Sequence, residues 1–365
     1  MLVHLNNGGC SILFNIVGDT IEIAHWGAPL SKVTDESLAI TKRPIAHGDL
    51  DVNPRNLILR EHSRGWRGRP ALRGHRSGKS VSNHFSIVKH EATKDSFTAH
   101  FADKLAGLEL SIDYQLDQHG ILTVQSTIKN VAEGDYQLEQ LLNWLPLPPQ
   151  ANEVLDFHGN WAKERQPQRY PITYGLTTRE SFEGRSGHNF TITQIALNKS
   201  TDFRYGEAWS FAVAWSGNNV NHIEKLVDDN LSIGGGEYLL PGEIILKSGE
   251  SYSTPKVIAA YSANGLDEIT NKHYAHLRSR KNHPKSERPV NLNLWEAVYF
   301  DHNFDKLSKI IEKAAEVGVE RVVLDDGWFG ARRSDKAGLG DWVVSKEVWP
   351  QGLKPLADLV ISKGM

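Results

Sequence analysis

The sequence predicts two architectures in series. Residues 1–283 read as a large antiparallel β-sandwich closed by a linking helix, and residues 284–365 as the start of a parallel α/β layer. Three observations predict this. Before Gly265, apolar and polar residues alternate in many short runs, as in half-buried antiparallel strands. After Gly265 the apolar spacing turns helical. Between the two regimes lies a polar, basic stretch from Ser279 to Pro289, carrying Pro284 and Pro289, of the composition that joins domains.

Leu13 to Ile23 predicts a hairpin turning at Gly18-Asp19, with β-branched residues on both sides. Phe97, Ala99 and Phe101 alternate with polar neighbours, and Leu108, Leu110, Ile112, Tyr114 and Leu116 continue the pattern. Asp117-Gln118-His119-Gly120 turns the chain into a run with Leu122, Val124 and Ile128 inward. Further strands are expected at Phe190–Leu197, Ala208–Trp215, Ile244–Leu246 and Val257–Tyr261. Many short strands without helices between them favour a sandwich. Leu266, Ile269, Tyr274 and Leu277 then share one helical face. Val290–Glu296 reads as a strand, and Leu307, Ile310, Ile311, Ala314 and Val317 as a helix ended by Gly318. Val319–Leu324 reads as a second strand, and Leu353, Leu356, Leu359 and Val360 as a second helix. This β-α-β order is the beginning of a parallel sheet.

Composition excludes several function classes. Lys and Arg number 41 against 44 Asp and Glu, so no global charge draws the chain to nucleic acid or an anionic membrane. Cys10 is the one cysteine, which leaves no intrachain disulfide and no zinc-thiolate site. No apolar run is long enough to span a bilayer. The N-terminus lacks a charged, then apolar leader, which leads us to expect a cytoplasmic protein. No G-x-S-x-G elbow, Walker loop, H-E-x-x-H or dinucleotide fingerprint occurs. Gly234-Gly235-Gly236 lacks a following phosphate-binding helix and reads as a loop.

Five segments could carry chemistry. Asp325-Asp326-Gly327-Trp328 follows a strand; the adjacent carboxylates read either as acceptors for neighbouring hydroxyls of one sugar or as a capping turn. Trp295, at the end of the preceding strand, reads as a flat wall for a pyranose or as a core residue. Asp341 and Trp342 lie in a long loop of functional length. Phe157 to Glu164, with Trp161, is a polar, aromatic turn. Arg64 to Arg76 interleaves Arg, Gly and Trp66; nucleic-acid binding is set aside because no such motif surrounds it, and a docking loop is expected.

Several of these residues together resemble glycoside hydrolase family 36, mainly microbial α-galactosidases. The resemblance is carried by Trp295-Glu296-Ala297, Asp325 through Gly330, Leu339 through Trp342 and Leu353 through Asp358, with Gly159 through Arg165, Ser216-Gly217-Asn218 and Pro241-Gly242-Glu243 upstream in order. It implies an N-terminal β-sandwich (supersandwich) followed by the first β/α units of a (β/α)8 TIM barrel, truncated in this chain. It implies retaining hydrolysis of terminal α-galactosyl residues of the melibiose or raffinose type, no metal or organic cofactor, and a homo-oligomer, tetramer or dimer. By motif, Asp325 and Asp326 would hold the galactose hydroxyls on C4 and C6, and Trp295 would line the subsite. Trp161 would contribute from the β-domain across a subunit interface, and Asp341 and Trp342 would be active-site loop residues.

Two departures stand out. Where much of the family has Gly-Asp-Phe-Arg, this chain has Gly65-Trp66-Arg67-Gly68-Arg69, without the acidic residue. The family's nucleophile lies in a Lys-Trp-Asp context, which does not occur here. No residue of the chain is therefore assigned as nucleophile or acid/base, and the chain is expected to be a fragment without turnover of its own. Two alternatives stay open: a non-catalytic carbohydrate-binding or oligomerising protein, and an α-N-acetylgalactosaminidase of the same family.

Overall fold

The computed structural model describes residues 1–39, 47–48, 56–189 and 192–365. These form two compact units, Met1–Lys281 and Asn282–Met365. The first is almost entirely antiparallel β. Its largest sheet has ten strands and runs, edge to edge, from Lys163–Pro171 through Glu153–Asn160, Thr193–Leu197, Ala208–Val213, Val257–Ser262, Ile121–Asn130, Leu108–Leu116 and Ser96–Asp103 to Ser86–Ala92. The tenth strand, Ser251–Ser253, pairs beside Ile121–Asn130. A four-stranded sheet is ordered Asn143–Leu147, Leu231–Glu237, Asn219–Lys225, Gly175–Ser181. Two three-stranded sheets complete the unit, one from Leu2–Asn7, Cys10–Val17 and Thr20–Gly27, the other from Ile244–Leu246, Tyr136–Leu141 and Leu72–His75.

Alternation explains why these residues pair as they do. Along Ser96–Asp103 every second side chain is buried. Leu108–Leu116 keeps the same beat, from Leu108 to Leu116. The inward side chains of all four sheets meet in one apolar cluster, with Ile12, Phe14, Phe97, Ile112, Leu138, Leu145 and Ile233 among them. Burying each such side chain is worth about 1.5–3 kcal/mol, which makes this contact the reason the sheets stack as a sandwich.

Ala208–Val213 departs from alternation: every residue in it is buried. Its second face is covered by the helix Gly265–Ser279, where Ile269 packs with Ala208, Ala260 and Ile195. Several polar contacts fix that helix to the sheet, two of them at its Lys272 and His276. Lys272 Nζ donates to the Tyr261 carbonyl at 2.7 Å, and His276 Nδ1 donates to Asp117 Oδ2 at 2.7 Å.

Two readings of this unit are corrected. The triple glycine Gly234-Gly235-Gly236 is not a loop but part of the strand Leu231–Glu237. A Cβ on Gly234 would sit 2.3 Å from the Trp144 ring, so glycine is there to admit an indole. The strand expected at Ala208–Trp215 ends at Val213. Of the run Phe190–Leu197, Thr193–Leu197 is a strand, while Phe190 and Thr191 lie outside the described residues.

In the second unit, Asn291–Asn293 and Arg321–Val323 pair in parallel, joined by the helix Phe304–Glu316. Asn303 caps that helix, its side chain accepting from Lys306 N at 3.1 Å, and Gly318 follows its end at φ 84°. The helix Lys354–Ser362 closes the unit, with Pro355 in its first turn. Leu307, Ile311, Leu356, Leu294, Val298 and Trp349 form its core. The strand expected at Val290–Glu296 is shorter here, because Trp295–Val298 is one helical turn. Asn293 causes the switch: its side-chain Oδ1 accepts from Trp295 N at 2.8 Å and bends the chain out of the sheet.

Candidate functional site: paired carboxylates and an indole at the ends of two parallel strands

The two parallel strands run in register, Asn293 opposite Val323, so the residues after each emerge at the same end. Leu294 N donates to the Val323 carbonyl at 3.0 Å and holds the two exits together. Beyond it, one strand delivers Trp295 and the other Asp325 and Asp326, all three half-buried. Gly327, at φ 99°, then turns the chain back.

Each carboxylate has its own donor. Asn293 Nδ2 donates to Asp325 Oδ2 at 2.6 Å, and Asp325 Oδ1 accepts from the backbone N–H of Asp326 at 2.7 Å. Arg332 donates to Asp326 Oδ2 twice, from Nη2 at 2.8 Å and Nε at 3.2 Å. Trp295 stands edge-on to Tyr299 and Phe300, at centroid distances of 5.2 and 4.9 Å, forming an aromatic corner. His302 lies against Gly327, and burial, the largest influence, holds its pKa below the ordinary histidine value.

The long loop folds back on this turn. Gly330 N donates to the Val343 carbonyl at 2.7 Å, and Phe329 bridges Val344. Trp342, largely exposed, lies 4.7 Å from Phe329 and 6.4 Å from Trp328, centroid to centroid. Asp341 packs against Gly330, where a Cβ would come within 3.0 Å of its own. The structure thus brings Trp295, Asp325 and Asp326 to one end of the small sheet, with Asp341 and Trp342 in the loop that covers the adjoining turn. Sequence reasoning missed Asn293 and Arg332 as the partners of the two carboxylates. A lone Asn and an Arg six residues downstream in a glycine-rich loop give no periodic signal.

Trp161 belongs to the other unit. It stands at the tip of the hairpin of Glu153–Asn160 and Lys163–Pro171, 81% exposed. Ala162 and Arg165 take φ 62° and 53° to make that tip.

The Arg64–Arg76 stretch packs on its own unit. Arg60 is buried with its guanidinium 4.4 Å from the Trp66 ring and 4.2 Å from the Trp144 ring. Its Nη1 donates to Ser232 Oγ at 2.8 Å and lies 3.7 Å from Glu224. Glu224 Oε1 in turn accepts from Arg69 N at 2.7 Å. A Cβ on Gly68 would be 2.3 Å from this carboxylate. Burial pushes the Glu224 pKa up, against the Arg69 N–H and the Arg60 charge.

Comparison with known proteins also divides the chain in two, but earlier than the two compact units do, ahead of the last strands of the first unit. The family model for the glycosyl hydrolase family 36 N-terminal domain matches residues 19–247, and that for melibiase matches residues 251–365. The chain is a glycoside hydrolase family member by both halves, and the family it belongs to is glycosyl hydrolase family 36. An alpha-galactosidase of Escherichia coli is 35% identical over 346 residues, covering 94% of this chain and 49% of that protein. Alpha-galactosidase AgaA of Geobacillus stearothermophilus is 31% identical over 305 residues, covering 82% of this chain and 41% of the relative. The AgaA crystal structure superposes with a TM-score of 0.89 at 26% identity, over 100% of this chain and 55% of that one. A substituted AgaA has been solved in complex with raffinose, with the same TM-score of 0.89 to this chain. The chain therefore spans about half the length of the curated relatives it matches.

Proposed function

We propose that this chain carries the galactose-holding end of a retaining α-galactosidase acting on terminal α-galactosyl groups of the melibiose or raffinose type. The observation that carries the reading is the joint emergence of Asp325, Asp326 and Trp295 from the C-terminal ends of two parallel strands. In β/α barrels that end builds the site, and we read Asn291–Asn293 and Arg321–Val323 as the first two barrel strands. Adjacent carboxylates suit adjacent hydroxyls: each charged acceptor is worth roughly 1.5–3 kcal/mol, and two fixed in one turn select a sugar by the direction of its hydroxyls. On this reading Asp325 and Asp326 take the hydroxyls on C4 and C6, Trp295 offers a ring to the pyranose face, and Asp341 and Trp342 belong to the loop bordering it.

Retaining hydrolysis also needs a nucleophile and an acid/base about 5–5.5 Å apart. Asp325 and Asp326 are assigned to neither role, and no Lys-Trp-Asp occurs in the 365 residues. Binding and bond cleavage are thereby separated in the chain, and these 365 residues alone are expected to show no turnover. The exposure of Trp161 at its hairpin tip supports a role toward the subsite of a neighbouring copy in a homo-oligomer. The test is hydrolysis of 4-nitrophenyl α-galactoside and raffinose by the protein expressed from its complete reading frame, with proton NMR following the anomer first released. Release of α-galactose is expected. Absence of activity on every α-galactoside, or first release of the β-anomer, contradicts the reading.

A further inference from the structure

We infer that Arg332 is a positioning residue: it clamps one oxygen of Asp326 so that the other oxygen is presented to the sugar. The inference rests on the galactoside reading above and adds a residue that the motif comparison did not assign. Arg332 gives two N–H groups to a single oxygen, Oδ2, at 2.8 and 3.2 Å. Among the described residues, no donor meets Asp326 Oδ1. A carboxylate with one oxygen fixed and the other open is an aimed acceptor.

The clamp is itself held. The Arg332 side chain is only 8% exposed, its Nη1 donates to the Ala337 carbonyl at 3.1 Å, and its guanidinium lies 5.6 Å from the centre of the Phe300 ring. Gly338, at φ 78°, lets the loop return over it, since a Cβ there would sit 2.8 Å from Arg332 N. The turn at residues 327–330 does not depend on this side chain for the hydrogen bonds that close it. That role falls to Arg333, which donates to the carbonyls of Gly327 at 2.6 Å and Gly330 at 3.0 Å. The two adjacent arginines thus divide the work, Arg333 holding the backbone of the turn and Arg332 the carboxylate together with the Ala337 carbonyl further along the loop. A freed Asp326 would also swing under repulsion from Asp325 beside it.

The test uses the protein from its complete reading frame, in four variants: Arg332→Ala, Arg332→Lys, Asp326→Asn, and the double Arg332→Ala/Asp326→Asn. KM and kcat for 4-nitrophenyl α-galactoside are measured beside thermal unfolding. Arg332→Ala should raise KM about ten- to a hundredfold, the scale of one misplaced charged contact. Arg332→Lys, which keeps the charge but not the planar fork, should recover part of the loss, and neither change should move the unfolding midpoint by more than a few degrees. The double variant should be no worse than Asp326→Asn alone, because both remove the same aimed oxygen. An unchanged KM in Arg332→Ala, or losses that multiply in the double variant, would overturn the positioning role while wild-type turnover upholds the galactoside reading. A wild-type protein inactive on galactosides brings down that reading, and the positioning role with it.

Discussion

The two units use the same three kinds of side chain in opposite ways. In the first, Arg60, Glu224 and the rings of Trp66 and Trp144 are packed together and buried. In the second, Arg332, Asp326 and Trp295 stand at a strand end, and the carboxylate and the indole stay half-open. A buried ion pair has committed its charge to its neighbour and has none to offer a ligand. A buried arginine holding a half-exposed carboxylate does the reverse: it fixes the acceptor and leaves it available. The arginine-rich stretch therefore stabilises the sandwich, although its composition invites a binding role, while the carboxylates of the short Asp-Asp-Gly-Trp turn stay half-exposed.

That contrast can be broken most forcefully at Arg60. Arg60→Met should destabilise the first unit by about 3–5 kcal/mol, because Glu224 keeps its Arg69 N–H but loses the buried cation beside it. Denaturant unfolding of this chain would measure it. A loss below about 1 kcal/mol would mean that the pair is not the anchor of the stretch.

The next effect is set by acid. His222 is buried against Trp144, ring centroids 5.7 Å apart, and burial pushes its pKa down to about 3. Burial likewise pushes His273 down to about 4. In both cases the unfolded state binds the proton more tightly than the folded one. Stability should be fully present above about pH 6.5 and decline as the pH falls toward 4 and 3, by on the order of 3–5 kcal/mol per histidine. Stability measured across that range in His222→Phe should lose part of the slope, whatever its absolute value. A slope identical to wild type would show that His222 takes no part in it.

Smaller effects sharpen the packing contrast. Gly234→Ala should cost about 1–3 kcal/mol, since the new methyl meets the Trp144 ring; denaturant unfolding reads it. Asn303→Ala should cost about 1 kcal/mol by uncapping the helix Phe304–Glu316 in the second unit, read as a fall in its helical signal on heating.

Legibility in the sequence follows the same divide. Strands buried on one face are visible, because Leu108 to Leu116 and Ser96 to Asp103 show period two. Gly318 marks its helix end correctly, since only the left-handed conformation at φ 84° is needed to explain it. The triple glycine misleads because its cause lies outside the segment: the ring it accommodates belongs to Trp144, on the neighbouring strand. Trp295 reads as strand because the apolar run continues through Leu294, and only the Asn293 side chain, which bonds back to the chain, ends it. In the site, the carboxylates and the aromatic are legible as a motif, whereas Asn293 and Arg332, which orient them, are not. Their role depends on which atoms the fold brings into hydrogen-bond distance, and spacing along the chain carries no trace of that.

Everything functional here turns on the Asp325-Asp326 turn being the ligand end of this chain. The most direct test is calorimetric binding of 1-deoxygalactonojirimycin to the protein from its complete reading frame, wild type beside Asp325→Asn, Asp326→Asn and the variant carrying both. Each single variant should bind about ten- to a hundredfold more weakly with little change in unfolding temperature, as expected for a lost charged acceptor. Wild-type affinity retained in the variant carrying both substitutions would contradict this assignment.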